Sequence, residues 1–415
     1  MKTFFLSLFF FVSLFAGAQP NCSAPSTGFT PINDLGTGIS PVTGLMGGLY
    51  PNGSNFLPVA HKNAGMQMAS EVQCLNANGN PDAANGKIVW LSIGLSNCTQ
   101  ESQQFIQHAK AFAGKNPKLI LVDGAQGGQT TNIISSPGNP NYANFWTTVG
   151  TRLTNAGVTA RQVQVIWFKE ANVAGTTPVR DYHDSLVVQI KRSMNEIKTR
   201  FPNVKLCYLA SRISGRYASS TLNPEPYSYW TGWAVKKVIA GQINGDAKLK
   251  YSGTAANSPW LSWGIYMWSD GNNPQTTNPN VFFTCPTDYQ NDGTHPSAVG
   301  AQKVAGLLLN FFSTDSTSTP WFLGTGCQLG TGMAKEQTEN KIVISPNPSA
   351  GEFTINCNAN INFMEIYNVS GEKIYAAKLN PRTANEIDLS DSPKGIYILK
   401  IYEGEKFYTK KIVIR

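Results

Sequence analysis

The run Lys87-Ile88-Val89-Trp90-Leu91-Ser92-Ile93-Gly94-Leu95-Ser96-Asn97 leads from an apolar strand pattern, through a glycine and a serine, toward a helix. Its first part predicts a short buried strand over Lys87–Ile93, and apolar residues recur with helical spacing over Thr99–Phe112. Strand-like runs at Lys118–Val122, Val163–Phe168, Val204–Ala210 and Trp263–Trp268 continue the pattern. Helical patterns at about Tyr142–Asn155, Leu186–Phe201 and Ala298–Phe312 alternate with them; Leu186, Ile190, Met194 and Ile197 share one face. Alternating strands and helices imply a parallel sheet covered on both faces. The expectation is a three-layer α/β/α (flavodoxin-like) domain over residues 86–312, with its site at the carboxyl ends of the strands.

Outward from this block, the chain changes character. Residues 1–18 read as a signal peptide: Lys2, an apolar stretch Phe4–Phe15, then Ala16-Gly17-Ala18 as a small-residue cleavage site. The apolar run is too short to span a bilayer, and no other stretch is a candidate. Residues 19–85, rich in Gly, Pro, Asn and Ser, read as a loop-rich extension packed on the catalytic domain. Residues 313–340 read as a linker. From 341 to 415 short strand-like runs such as Phe353-Thr354-Ile355 and Ile396–Tyr402 predict a small all-β sandwich.

The 415 residues suit two folded units. The formal charge is +8, but the lysines and arginines are scattered, which argues against nucleic-acid binding. Seven cysteines fit an oxidising compartment. Cys22 with Cys327, and Cys74 with Cys98, are possible pairs. No C-x-x-C spacing suggests a structural zinc site, and no metal or organic cofactor is expected.

The loops after the strands carry the chemistry. Ser96 lies between a strand end and a helix start, where backbone N–H groups can receive negative charge. The loop Gly124-Ala125-Gln126-Gly127-Gly128-Gln129-Thr130-Thr131 permits close backbone approach and could offer a free N–H to an oxyanion. In Lys169-Glu170-Ala171-Asn172 the Asn172 amide is a second candidate donor; the alternative is a helix cap. Asn291-Asp292-Gly293-Thr294-His295-Pro296-Ser297 places a carboxylate three residues before a histidine on a tight turn, ahead of an apolar helix. There Asp292 could fix the His295 tautomer and favour the imidazolium formed when His295 acts as general base. The plainer reading is an aspartate that only caps a turn. His61, His108 and His183 are rivals for the base.

Together these loops resemble the four sequence blocks of the SGNH (GDSL-like) hydrolase family. The resemblance implies Ser96 as nucleophile, Gly128 and Asn172 as oxyanion donors, and Asp292 with His295 as acid and base. Leu95 stands where the family carries an aspartate, and Ala171-Asn172-Val173 where it carries Gly-Asn-Asp. The implied function is a secreted serine esterase that removes acetyl or other small acyl groups from a carbohydrate. The alternative is a catalytically degenerate surface protein that binds glycans. Tyr229, Trp230 and Trp268 are candidate sugar-stacking residues, with a core role as the alternative, and Arg212 and Arg216 could contact acidic groups. The tail, with Ser345-Pro346-Asn347-Pro348, Asn368-Val369-Ser370-Gly371, Lys394-Gly395-Ile396-Tyr397 and Lys410-Lys411-Ile412-Val413, resembles a type IX secretion C-terminal sorting domain. That implies the type IX machinery as partner and export across an outer membrane.

Overall fold

A computed structural model describes residues 20–324, 326–327, 343–356, 363–368, 372–380, 384–403 and 406–415. The proposed signal peptide, residue 325 and residues 328–340 of the proposed linker, and Cys357 lie outside the described residues. The chain divides into two compact units, Met1–Leu329 and Gly330–Arg415.

The first unit is built on five strands: β1 (Ile88–Gly94), β2 (Leu119–Asp123), β3 (Val163–Lys169), β4 (Leu206–Ala210) and β5 (Trp260–Ile265). They pair in parallel in the order β2-β1-β3-β4-β5, the flavodoxin-like doubly wound order. The helices are α1 (Ile32–Leu35), α2 (Val59–Ser70), α3 (Ser96–Ala111), α4 (Thr131–Ile134), α5 (Tyr142–Asn155), α6 (Val179–Arg200), α7 (Tyr227–Ile243), α8 (Ala298–Thr314) and α9 (Thr319–Phe322). Strands β1, β3, β4 and β5 are buried along their whole length, which is why they read as continuous apolar runs. Val89, Leu91, Ile166, Phe168 and Leu209 face a core closed by Phe145, Leu186 and Trp233 of α5, α6 and α7. Trp90, Val165, Trp167, Tyr208 and Trp260 face the opposite core, closed by Met68, Phe105 and Leu308 of α2, α3 and α8. Three layers result. The order reverses at β1, so the crevice beyond its carboxyl end is the expected place for a ligand.

Several expectations change. The extension before β1 contains α2, in which Gly65 lies flat against Trp260; a Cβ there would come 2.3 Å from the indole ring. The aromatic stretch after Pro226 is α7, apolar on nearly all sides, so it shows no stripe to read. The start of the proposed linker is folded instead: Trp321 and Phe322 of α9 are buried, and the Asn116 N–H donates to the Phe322 carbonyl. The disulfides are Cys22–Cys285 and Cys74–Cys327, replacing both pairings considered from sequence; Cys98 and Cys207 are buried free thiols. Each disulfide links residues more than 250 positions apart (263 and 253). Closing one such loop is worth about 5–6 kcal/mol in a chain-entropy account.

The second unit holds β6 (Val343–Ser345), β7 (Glu352–Asn356), β8 (Phe363–Asn368), β9 (Lys373–Lys378), β10 (Ala384–Asp388), β11 (Gly395–Glu403) and β12 (Lys406–Ile414). Two antiparallel sheets, β10-β7-β6 and β12-β11-β8-β9, enclose one core that includes Phe353, Ile355, Ile366, Leu399 and Ile412. This is the all-β sandwich expected from the alternating runs. No helix among the described residues is long and apolar enough to cross a membrane.

Candidate active site

Ser96 is the first residue of α3, after an extended Leu95 (φ −92°, ψ −166°). The first N–H groups of a helix have no intrahelical acceptor, so the 16-residue α3 presents a partial positive charge at the serine. The Ser96 Oγ lies 2.6 Å from His295 Nε2. The His295 Nδ1 is hydrogen-bonded to Asp292 Oδ2. A carboxylate accepts only, so Nδ1 carries the proton and Nε2 is left to accept from the Ser96 hydroxyl. The other Asp292 oxygen accepts the N–H groups of Thr294 (2.9 Å) and His295 (3.0 Å). Burial pushes the Asp292 carboxyl up, but these hydrogen bonds from the His295 ring and the two N–H groups outweigh it and hold it at about 2.

The histidine turn depends on its glycine. Gly293 has φ +65°, and a Cβ there would stand 1.8 Å from the Tyr217 carbonyl oxygen. Helix α8 then starts with Ser297 as its cap, the side chain accepting from the Gly300 N–H at 3.1 Å.

Across from the histidine, the glycine loop after β2 comes up to the serine. The Gln126 N–H donates to the Gly94 carbonyl at 2.9 Å. A Cβ on Gly127 would lie 3.8 Å from Ser96 Cβ, whereas one on Gly128 (φ +73°) would meet open space. Among the described residues neither N–H of this glycine pair has an acceptor, so both remain available.

The loop after β3 is differently used. Asn172 Oδ1 accepts the Asn132 N–H (3.0 Å) and Nδ2 donates to Gln189 Oε1 (2.6 Å). Its amide therefore ties α4 to α6, which leaves the second Nδ2 hydrogen as the one it could offer to an oxyanion. Lys169 is buried and donates to both oxygens of buried Glu101 (2.6 and 2.8 Å). Burial lowers the Lys169 ammonium and raises the Glu101 carboxyl, each partner opposing the other's shift. Burial likewise holds the Glu170 carboxyl well above its ordinary range. Its Oε2 accepts the Ala171 N–H (3.2 Å), and its Oε1 has no partner among the described residues.

Two of the three candidate sugar contacts, Tyr229 and Trp268, are corrected. Tyr229 is fully buried and its Oη donates to the Thr30 carbonyl (2.8 Å). Trp268 is fully buried with Nε1 on Glu225 (2.7 Å), so neither ring has a face left for a ligand. Trp230 is nearly buried, with the Arg180 guanidinium 5.7 Å over its ring, and borders an open cavity of about 410 Å³. Arg216 donates to the Ala24 carbonyl, and Arg212 is buried beneath the site. The rival histidines stand elsewhere. His61 stacks on Trp260 with Nε2 on the Leu261 carbonyl, His108 is in the last turn of α3, and His183 pairs with Asp184. The sequence missed the partners of Arg212, since a single arginine after a strand carries no signal of what it holds.

No curated protein sequence matches the chain. Among solved structures, the periplasmic domain of a lipopolysaccharide acetyltransferase from Salmonella ser. Paratyphi A is 14% identical, over 60% of this chain and 95% of that one, at a TM-score of 0.31. A carbohydrate esterase is 15% identical over 58% and 72%, at 0.33. A carbohydrate acetylesterase from Xanthomonas citri is 8% identical over 75% and 74%, at 0.31. Likenesses this low carry no argument about the site. Residues 343–415 match the secretion system C-terminal sorting domain family, and this type IX sorting domain marks the chain for export to the cell surface or beyond it.

Proposed function

We propose that the first unit is a serine esterase of SGNH type that removes acetyl or another small acyl group from a carbohydrate. The hydrogen-bonded series Ser96–His295–Asp292 at the N-terminus of α3 carries this reading. Ser96 Oγ attacks the ester carbonyl carbon while its proton passes to His295 Nε2. Asp292 stabilises the imidazolium and stays ionised itself. The oxyanion is received by the N–H of Ser96 with that of Gly128, where the neighbouring Gly127 N–H is equally unspent. The imidazolium returns the proton to the departing sugar oxygen, leaving an acyl-serine. Water then attacks that ester, His295 takes its proton, and the free acid leaves as Ser96 is restored.

The carbohydrate rests on the family resemblance and on the export signal. Asn172, engaged by Gln189, and Leu95 keep a second reading in view: a glycan-binding protein on a fold that has lost turnover. Hydrolysis of p-nitrophenyl acetate by the full chain, measured beside Ser96→Ala, separates the two. Turnover that vanishes in the variant is the expected result. Equal turnover in both proteins would remove Ser96 from the mechanism, and glycan binding with no turnover in either would favour the second reading.

A further inference from the structure

Arg212 follows β4 and is buried, yet it carries a full charge into the floor of the site. Its Nη1 donates to Asn97 Oδ1 (2.8 Å) and its Nη2 to the Thr294 carbonyl (3.3 Å). Asn97 Nδ2 donates to that same carbonyl (3.1 Å). All three groups are buried, and they close a ring. Asn97 directly follows Ser96, and Thr294 directly precedes His295.

We propose that Arg212 is a positioning residue, locking the serine turn and the histidine turn in the register that forms the Ser96–His295 hydrogen bond. The proposal rests on those two residues forming the proton relay. A hydroxyl and an imidazole on separate loops meet at 2.6 Å only if both backbones are held. Misplacement by about 1 Å can cost roughly 100-fold in rate. The Thr294 carbonyl receives two donors from two different elements, which fixes its direction. Stability alone does not call for an arginine here. Burying a guanidinium is costly, Nε lacks a partner among the described residues, and a well-packed apolar side chain commonly serves a core as well. The cation stands near the relay, close enough for the Asp292 carboxylate to favour its charge against the cost of burial.

The test compares the full chain with Arg212→Met and Arg212→Lys by low-field proton NMR and kinetics. The native protein should show a hydrogen-bonded His295 Nδ1–H resonance that His295→Asn removes. In Arg212→Met that resonance should broaden by faster exchange with water, and kcat should fall about 100-fold while KM stays within about threefold. Arg212→Lys keeps a cation but replaces a two-pronged donor by a point donor; it should fold and lose about tenfold in kcat. A folded variant of either kind that keeps the native resonance and native kcat overturns the proposal. The resonance needs no substrate, so a native protein without esterase turnover would defeat the functional reading while the resonance still decides the role of Arg212.

Discussion

The two loops that flank the seryl turn are built on opposite plans. The histidine turn, Asp292 to His295, directs its polar groups at Ser96 and is itself held by main-chain hydrogen bonds and a glycine no other residue can replace. The loop after β3, Lys169 to Asn172, directs its polar groups into the protein: Lys169 to Glu101, Glu170 to the Ala171 N–H, Asn172 to Gln189 and Asn132. On the proposed reading the first loop performs chemistry, while the second holds layers together. The same residue types serve both purposes, and only the direction each side chain takes separates them.

The comparison is broken most severely if the histidine side proves dispensable. His295→Ala should lower kcat about 10⁶-fold, as loss of the base does in a serine relay, in the same ester assay. Survival of turnover within tenfold would transfer the work to another group. Asp292→Asn should cost about 10⁴-fold by disturbing the tautomer, with the fold intact by circular dichroism.

The β3 side should instead respond in stability. Lys169→Met leaves Glu101 buried without its partner and should cost about 3–5 kcal/mol in denaturant unfolding. The double variant Lys169→Met/Glu101→Leu should recover most of that, and no recovery would mean that the pair matters beyond its charge balance. Asn172→Ala should lower kcat/KM less than about tenfold, whereas loss of a working oxyanion donor costs about 10²–10³-fold. A loss in that larger range would return Asn172 to the oxyanion site.

The mildest effect is expected at Glu170, and its sign follows from linkage. In the unfolded chain a glutamate gives up its proton near pH ~4.3, while burial in the folded protein keeps Glu170 protonated to higher pH. Between those two values the folded state binds the extra proton, so its contribution to stability falls as pH rises. Glu170→Gln, neutral in both states, should flatten that decline and be at least as stable as the native protein at pH ~7. Thermal unfolding of the two proteins across pH 5–8 checks it, and an unchanged decline in the variant would show that Glu170 is ionised throughout that range.

Much of this was local enough to read from the chain. Continuous apolar runs separated by helical patterns require a doubly covered parallel sheet, and short alternating runs after residue 341 require a sandwich, because periodicity follows from which faces are buried. Asp292 and His295 were legible as one unit because three residues across a Gly turn bring carboxylate and ring together without help from the rest of the fold. The tail motifs were legible because each is a short contiguous run; Gly395–Tyr397 opens β11 and Lys410–Val413 lies within β12. Tertiary structure alone decided the rest. The Arg212 contacts join residues 115 and 82 positions apart, the disulfides join residues 263 and 253 apart, and the fates of Asn172, Tyr229 and Trp268 were set by neighbours from other elements. Composition and spacing describe what a segment can offer. Which partner accepts the offer depends on how distant segments pack, and that packing is chosen by the burial of the whole core.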